Sequence, residues 1–179
     1  MREDRSGKVM ISNQYLRMMS RYNRWQNQWM YSAAEQLPDE ERQENRSGFW
    51  GSIESTLCHI YWGDRIWFSR FDLVDPPGVP IGESSSFVSD WRKLTEDREQ
   101  LDNLVMKWSD DFEEGPILGS LEWFSGAANK DMKAPLSMVL PHIFNHQTHH
   151  RGQVHAMLTA AGAPTQDTDL FLMPEEFSY

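Results

Sequence analysis

Three ingredients are scarce in this sequence of 179 residues, and each shortage excludes a class of protein. Cys58 is the single cysteine, so neither an intrachain disulfide nor a cysteine-based zinc cluster can form. No run of apolar residues approaches the roughly 18 that are needed to cross a bilayer, and the first residues lack the apolar core of a signal peptide. We therefore expect a soluble, cytoplasmic protein with no membrane partner.

Positive charge is the third scarce ingredient. The chain has 17 Lys and Arg against 27 Asp and Glu, a formal net charge of −10. Nucleic acid would be repelled over most of such a surface, so we expect no nucleic-acid partner. Hydrophobic residues make up 39% of the chain and there are eight tryptophans, which is typical of a folded protein with a substantial core. With no repeat and no long linker, a single domain over residues 1–179 is expected.

Amphipathic helices dominate the predicted secondary structure. Apolar residues recur at helical spacing in four stretches, residues 12–37, 49–71, 87–108 and 135–161. Four helices of this length predict an all-α four-helix bundle. Pro141 lies within the last stretch, so that helix either kinks there or begins there. The alternating, aromatic segment Ser120–Ser125 predicts a short β-hairpin before the last helix.

Finer expectations follow from the same patterns. The charge-rich stretch 39–46 is expected to be an exposed connection. Most of the tryptophans are assigned to the core. The third helix is expected to turn six residues inward: Trp91, Leu94, Leu101, Leu104, Val105 and Trp108.

Histidines are concentrated in the last predicted helix, where five of the six fall within residues 142–155. His146 and His150 are four residues apart, so their side chains project side by side with an offset of about 40°. Apolar residues flank this sector of the helix, which predicts that both imidazoles face the bundle interior. Two buried imidazoles need partners, and a divalent metal would satisfy both. Individually packed or solvated histidines are the alternative.

A third ligand must come from another helix. His59 is the one histidine outside the cluster, and it lies near the middle of the second helix. A bundle can bring it opposite His146 and His150, giving three nitrogen ligands and an open position, as in catalytic zinc sites. Residues 134–162 contain neither Asp nor Glu, which excludes the carboxylate patterns of di-iron bundles and of zinc-protease helices. Nitrogen ligands favour Zn, Ni, Cu or Fe over Mg or Ca.

Two segments resemble the DinB/YfiT-like family. The sequence HIFNHQTHHRGQVHAMLT at residues 142–159 resembles the last helix of that family, and TLCHIYWGDR at residues 56–65 resembles its second helix. Asp169 and Leu170 match its C-terminal pattern. The similarity extends from about Tyr15 to Met173.

This resemblance implies an up-down-down-up bundle, often dimeric, with a metal on three histidines. Carried over to this chain, the ligands are His59, His146 and His150. Relatives of known activity include metal-dependent transferases and isomerases that use small thiols. The resemblance therefore implies a low-molecular-weight thiol as a candidate cofactor and a homodimer. We expect zinc or nickel as the metal and a small molecule as the substrate.

Four residues near the histidines in sequence have expected roles. Trp62, one turn from His59, is expected to form a wall of the metal pocket and to contact a bound cofactor. Asp64 is expected to be solvated or paired with an arginine, and Arg151 to pair with an acid of a neighbouring helix. Cys58 is expected to be a small buried residue.

The remaining histidines are His142, His149 and His155. His142 is either a fourth ligand or acid–base group, or an outer residue near the mouth of the bundle. His149 and His155 are expected at the surface or at an interface. No catalytic residue can be named from the sequence.

Two functions fit these patterns. The first is a metal-dependent transferase of the small-thiol type, or a hydrolase, acting through an open three-histidine site. The alternative is a non-catalytic, stress-linked bundle whose metal has a structural or sensing role.

Overall fold

The computed structural model describes residues 11–113, 115–126 and 128–177. Four long helices account for most of the secondary structure: α1 (Asn13–Glu35), α3 (Ile53–Ser69), α4 (Trp91–Asp110) and α5 (Leu136–Ala160). A short helix, α2 (Asp39–Gln43), follows α1, and a 3-10 turn spans Ile81–Ser86. Strands β1 (Ser120–Ser125) and β2 (Lys130–Pro135) precede α5, and short 3-10 turns follow it at Leu170–Leu172 and Glu175–Phe177. The fold is the predicted all-α bundle with a hairpin before its last helix.

Two pairs of long helices are antiparallel. The start of α1 meets the end of α4, and the start of α3 meets the end of α5. The contacts that show this are Ser20–Ser109, Tyr31–Trp91, His59–His150 and Trp67–His142.

The other two neighbouring pairs, α1 with α5 and α3 with α4, run parallel. Their contacts are Tyr15–Phe144, Trp29–His155, Tyr61–Arg98 and Phe68–Trp108. The four long helices therefore run up, down, down and up in chain order, which confirms the connectivity that the family resemblance implied.

Local capping decides where two helices begin. The second long helix was expected from residue 49 but starts at Ile53, because the Ser52 hydroxyl accepts a hydrogen bond from the Ser55 amide at 3.0 Å. The third was expected from residue 87 but starts at Trp91, because Asp90 accepts from the Lys93 amide at 2.7 Å.

The last helix continues through Pro141 from Leu136, so it does not begin at that proline.

The bundle core is formed by aliphatic and aromatic side chains from all four long helices. Its fully buried members include Leu16, Met30, Leu57, Ile60, Phe68, Leu94, Leu140, Ile143, Phe144 and Leu158. Six residues of α4 were expected to face inward. The prediction is wrong for Leu104, whose side chain is 42% exposed. Among the described residues, no helix is long and apolar enough to cross a membrane.

The expectation of an exposed connection at residues 39–46 is wrong in part, because Arg42 on α2 is buried. Its Nε donates to Glu54 at 2.9 Å, and its guanidinium lies 4.3 Å from the centre of the Trp91 ring. The carboxylate and the aromatic face compensate the burial of the charge. This arginine therefore anchors the connection between α1 and α3.

Candidate metal centre and adjoining cavity

Three imidazoles meet where α3 and α5 cross. His59 is buried in the middle of α3, and His146 and His150 occupy successive turns of α5. The ring centres are 5.3 Å apart for His59 and His146, 4.7 Å for His59 and His150, and 4.6 Å for His146 and His150. One nitrogen of each ring lies within 4.8 Å of the others, so this trio could hold a metal ion.

Hydrogen bonds fix the protonation pattern of two of these rings. The Ser84 hydroxyl donates to the Ile81 carbonyl at 2.6 Å, so it must accept from the Nδ1–H of His59, 2.8 Å away. The Nδ1 of His150 lies 2.9 Å from Oε1 of Gln153, which can only accept. Both histidines therefore carry the proton on Nδ1 and present an unprotonated Nε2 as a ligand atom, which is the arrangement that outer hydrogen bonds impose on metal-bound histidine.

His146 completes the trio and has the fewest partners. Its Nε2 lies 3.4 Å from Nε2 of His59, and its buried Nδ1 has no hydrogen-bond partner among the described residues. Burial and the neighbouring histidines lower the pKa of His59 to about 3 and that of His146 to about 4. These rings are neutral at pH 7, so a cation shared by the three nitrogens would match the donor set.

Gly63 provides the space that the His146 ring occupies. A Cβ at this position of α3 would lie 2.8 Å from Cε1 of His146 and 3.4 Å from its Nδ1. Gly63 is one turn after His59, so a single face of α3 supplies one imidazole and leaves room for another. A glycine within a predicted helix was the available sequence signal, because glycine costs helix stability and often has a packing reason there.

Aromatic rings surround the free side of His59. Trp50 stacks on its ring with a centroid distance of 3.9 Å, and Trp62 lies at 6.0 Å on the same side of α3. The indole of Trp62 donates to the Val79 carbonyl at 3.0 Å, which fixes its orientation. Trp62 does line the cavity described next. Sequence reasoning placed Trp50 with the core tryptophans and missed its contact with His59.

A cavity of about 870 Å³ opens beside the three histidines. Its walls come from α3, α5, the β-hairpin and the segment before α3. Its lining is predominantly aromatic and aliphatic, including Phe49, Trp50, Trp62, Ile66, Trp67, Trp123, Phe124, Met132 and Met138. The described lining residues include no Asp or Glu, and Arg70 is the one lysine or arginine among them. A concave, apolar chamber with few polar groups is typical of a small-molecule site.

A buried charge cluster lies behind the three histidines. Asp64 accepts from Arg98 at 2.5 Å and from Gln147 at 2.5 Å, and Arg98 also donates to Asp102 at 2.7 Å. Asn27 donates to Asp102 at 3.0 Å. Burial alone would lower the pKa of Arg98, but Asp102 and Asp64 raise it above its ordinary value. This cluster joins α1, α3, α4 and α5.

Asp64 is thus paired with an arginine rather than solvated. The prediction that Arg151 pairs with an acid is wrong among the described residues. Its guanidinium donates to the side-chain oxygen of Asn23 on α1. Cys58 is buried as expected, and burial raises the pKa of its thiol. The thiol donates to the Val88 carbonyl at 3.7 Å and accepts from the Val88 amide at 3.3 Å.

The other histidines of α5 have separate environments. His142 is exposed, lines the cavity and packs edge-on against Trp67, with its ring centre 6.2 Å from that of His146. His149 is exposed at the same cavity. His155 packs against Trp29 on α1, away from the trio.

The sequence that carries these three histidines is similar to known proteins. The sequence model of the DinB family matches residues 10–176, which is nearly the whole chain. The chain belongs to the DinB family. It is 27% identical over 154 residues to Protein DinB of Bacillus subtilis (strain 168), an alignment covering 83% of this chain and 87% of that protein. No solved structure matches the chain at a significant level.

Proposed function

We propose that this DinB-family protein is a metal-dependent enzyme that acts on a small molecule, either as a transferase that uses a small thiol or as a hydrolase. The observation that carries the proposal is the meeting of three neutral imidazoles at the wall of an 870 Å³ cavity. Structural zinc sites are closed by four protein ligands, whereas catalytic sites keep three and leave a position for water or substrate.

His59, His146 and His150 would hold the metal, and zinc or nickel is proposed from the four metals, Zn, Ni, Cu and Fe, that imidazole nitrogens favour. A divalent cation in such a site lowers the pKa of a bound water or thiol and so supplies a nucleophile near neutral pH. Ser84 and Gln153 hold the rings of His59 and His150 with Nε2 towards the trio.

The cavity walls would bind the body of the substrate and exclude water from it. Trp62 is proposed to contact a bound thiol or substrate, because it lines the cavity within one turn of His59. Partial desolvation by the cavity wall, with a smaller contribution from Arg70, lowers the pKa of His142. Its imidazole is therefore neutral at pH 7 and is the proposed proton acceptor for a thiol or water in the chamber.

The proposal extends to the substrate, the partners and the location of the protein. A small-molecule substrate fits the size of the chamber. The absence of a nucleic-acid partner fits the net charge of −10. Cytoplasmic location and a homodimer remain predictions.

The experiment compares the purified chain with three variants, His146→Ala, His150→Ala and the matched control His155→Ala. Metal content is measured first, and thiol transfer and ester hydrolysis are then screened with zinc and with nickel, before and after chelation. We expect the first two variants to lose bound metal and activity, and the control to retain both.

Absence of activity under every metal loading would contradict the proposal that this protein is an enzyme. A large fall in melting temperature on chelation, without any activity, would instead support the alternative of a structural metal, since a ligand bound only to the native state raises its stability.

A further inference from the structure

Arg70 is a cationic group inside an otherwise apolar chamber. It immediately follows the last residue of α3, is half-buried and lines the cavity. Its guanidinium lies 4.2 Å from the centre of the Trp67 ring and 5.3 Å from that of Trp123 on the hairpin. The charge is therefore held between the helix and the hairpin on two aromatic faces.

No carboxylate of the described residues compensates this charge. Among the described residues Arg70 forms no ion pair, and its Nη1 is shielded from solvent without a hydrogen-bond acceptor. The buried guanidiniums of Arg42 and Arg98, in contrast, each bind carboxylates. Burial lowers the pKa of Arg70 to about 10, so the group still carries its charge at pH 7. A charged donor that is shielded from water and has no acceptor costs free energy, and binding of an anion to the guanidinium reduces that cost.

We propose that Arg70 binds the anionic group, a carboxylate or a phosphate, of the small molecule that occupies the cavity. In a chain with a net charge of −10, this guanidinium is the one arginine or lysine among the described lining residues and so is the natural contact for an anion that enters the chamber. Its planar guanidinium can donate two parallel hydrogen bonds to either group.

The helix geometry defines the shape of this ligand. Arg70 is 11 residues after His59, so their Cα atoms are about 16 Å apart along α3 and differ by only about 20° around its axis. Trp62, Ile66 and Trp67 line the cavity between them. The ligand class is therefore an amphipathic organic anion, with its charge at Arg70, an apolar body along α3 and its reacting end towards the histidines. This deepens the proposed function, on which it rests for the assignment of the cavity as the substrate site.

The test measures binding rather than turnover, using the full chain both as purified and after chelation. Isothermal titration calorimetry is performed with three probes that share a phenyl body: 4-phenylbutyrate, its neutral amide 4-phenylbutyramide, and phenyl phosphate. The variants are Arg70→Gln, which removes the charge, and Arg70→Lys, which keeps the charge but lacks the planar guanidinium with its two parallel donors. Arg92→Gln is the matched control, because Arg92 is exposed and paired with Glu96 on α4.

We expect the chelated wild type to bind at least one anion tenfold or more tightly than the amide. The Arg70→Gln variant should lose that difference while its amide affinity is unchanged, Arg70→Lys should retain part of it, and Arg92→Gln should retain all of it. Preference for the carboxylate or for the phosphate identifies which anion the site takes. Persistence of the preference after chelation assigns it to the arginine rather than to the metal.

Equal affinity of the chelated wild type for the anions and the amide, or no binding of any probe, would overturn the proposal without use of a variant. An undiminished anion preference in a folded Arg70→Gln variant, checked by circular dichroism, would also overturn it. Because these measurements need no metal, a failure of the enzymatic screen leaves their outcome interpretable.

Discussion

Replacement of Gly63 by alanine is expected to weaken metal binding without unfolding the bundle. The added Cβ would lie 2.8 Å from Cε1 of His146, whereas carbon atoms in ordinary contact are about 3.5 Å apart. The ring must therefore move by about 0.7 Å, if α3 stays in place. Metal–ligand distances tolerate only about 0.2 Å. A displacement about three times that tolerance misplaces one of the three nitrogens.

The expected loss is about ten- to a hundredfold in zinc affinity, the range seen when the support of a ligand is disturbed. The effect on the metal-free fold should be smaller, because alanine gains about 1 kcal/mol in helix propensity and the overpacking costs about 1–3 kcal/mol. A net loss of about 0–2 kcal/mol in the free energy of unfolding follows. Zinc affinity is measured by competition with a chromogenic chelator, and stability by urea unfolding of the chelated protein.

Gly152 on α5 provides the matched control. A Cβ there would meet nothing within 4 Å, so Gly152→Ala should leave zinc affinity unchanged and raise stability by about 0.5–1 kcal/mol. If Gly63→Ala binds zinc as tightly as Gly152→Ala does, the assignment of Gly63 as the space for His146 is refuted.

Three further predictions concern the support of the site and of the core. Ser84→Ala should lower zinc affinity about ten- to a hundredfold by removing the acceptor for the Nδ1–H of His59, whereas Ser86→Ala in the same turn should not; an equal loss in both would refute the tautomer assignment. Arg98→Met should lower the free energy of unfolding by about 3–5 kcal/mol, because it leaves buried carboxylates unpaired. Arg92→Met on the exposed face of α4 should change the free energy of unfolding, measured in urea, by no more than about 0.5 kcal/mol. The chelated protein should lose stability as the pH falls from about 6.5 towards 4, because His59 has a pKa of about 3 when folded and 6.5 when unfolded, so the unfolded chain binds more protons in that window; a melting temperature independent of pH there would contradict the burial of neutral imidazoles.

The sequence was sufficient to predict the helices because apolar spacing reports burial directly. It failed at the ends of α3 and α4, where one capping side chain decides the first residue. Both capping residues, Ser52 and Asp90, are of types that are preferred at the N-cap of a helix, so the sequence did contain a signal for these two helix starts. Arg42 was misassigned because charge composition describes average exposure, whereas its burial depends on Glu54 and Trp91 from other elements.

The three histidines that could hold a metal ion were predictable from spacing and count. His146 and His150 share a helix face by spacing alone, and His59 was the one remaining histidine. Ser84 and Trp50 were missed, since each contacts His59 from a segment outside α3 and only the folded chain brings them together. Contacts between separate elements are the information that a single sequence does not expose.

The hydrogen bond between Gln147 and Asp64 has a consequence for how the three histidines are brought together. Displacing α5 by one turn along α3 would shift Gln147 by about 5.4 Å and strip the buried carboxylate of that donor. Gln147 is adjacent to His146 in sequence, so the same displacement would carry the imidazole out of reach of His59. The hydrogen-bonding need of a buried carboxylate thus favours the axial alignment at which the nitrogens converge, and it does so in the absence of an ion.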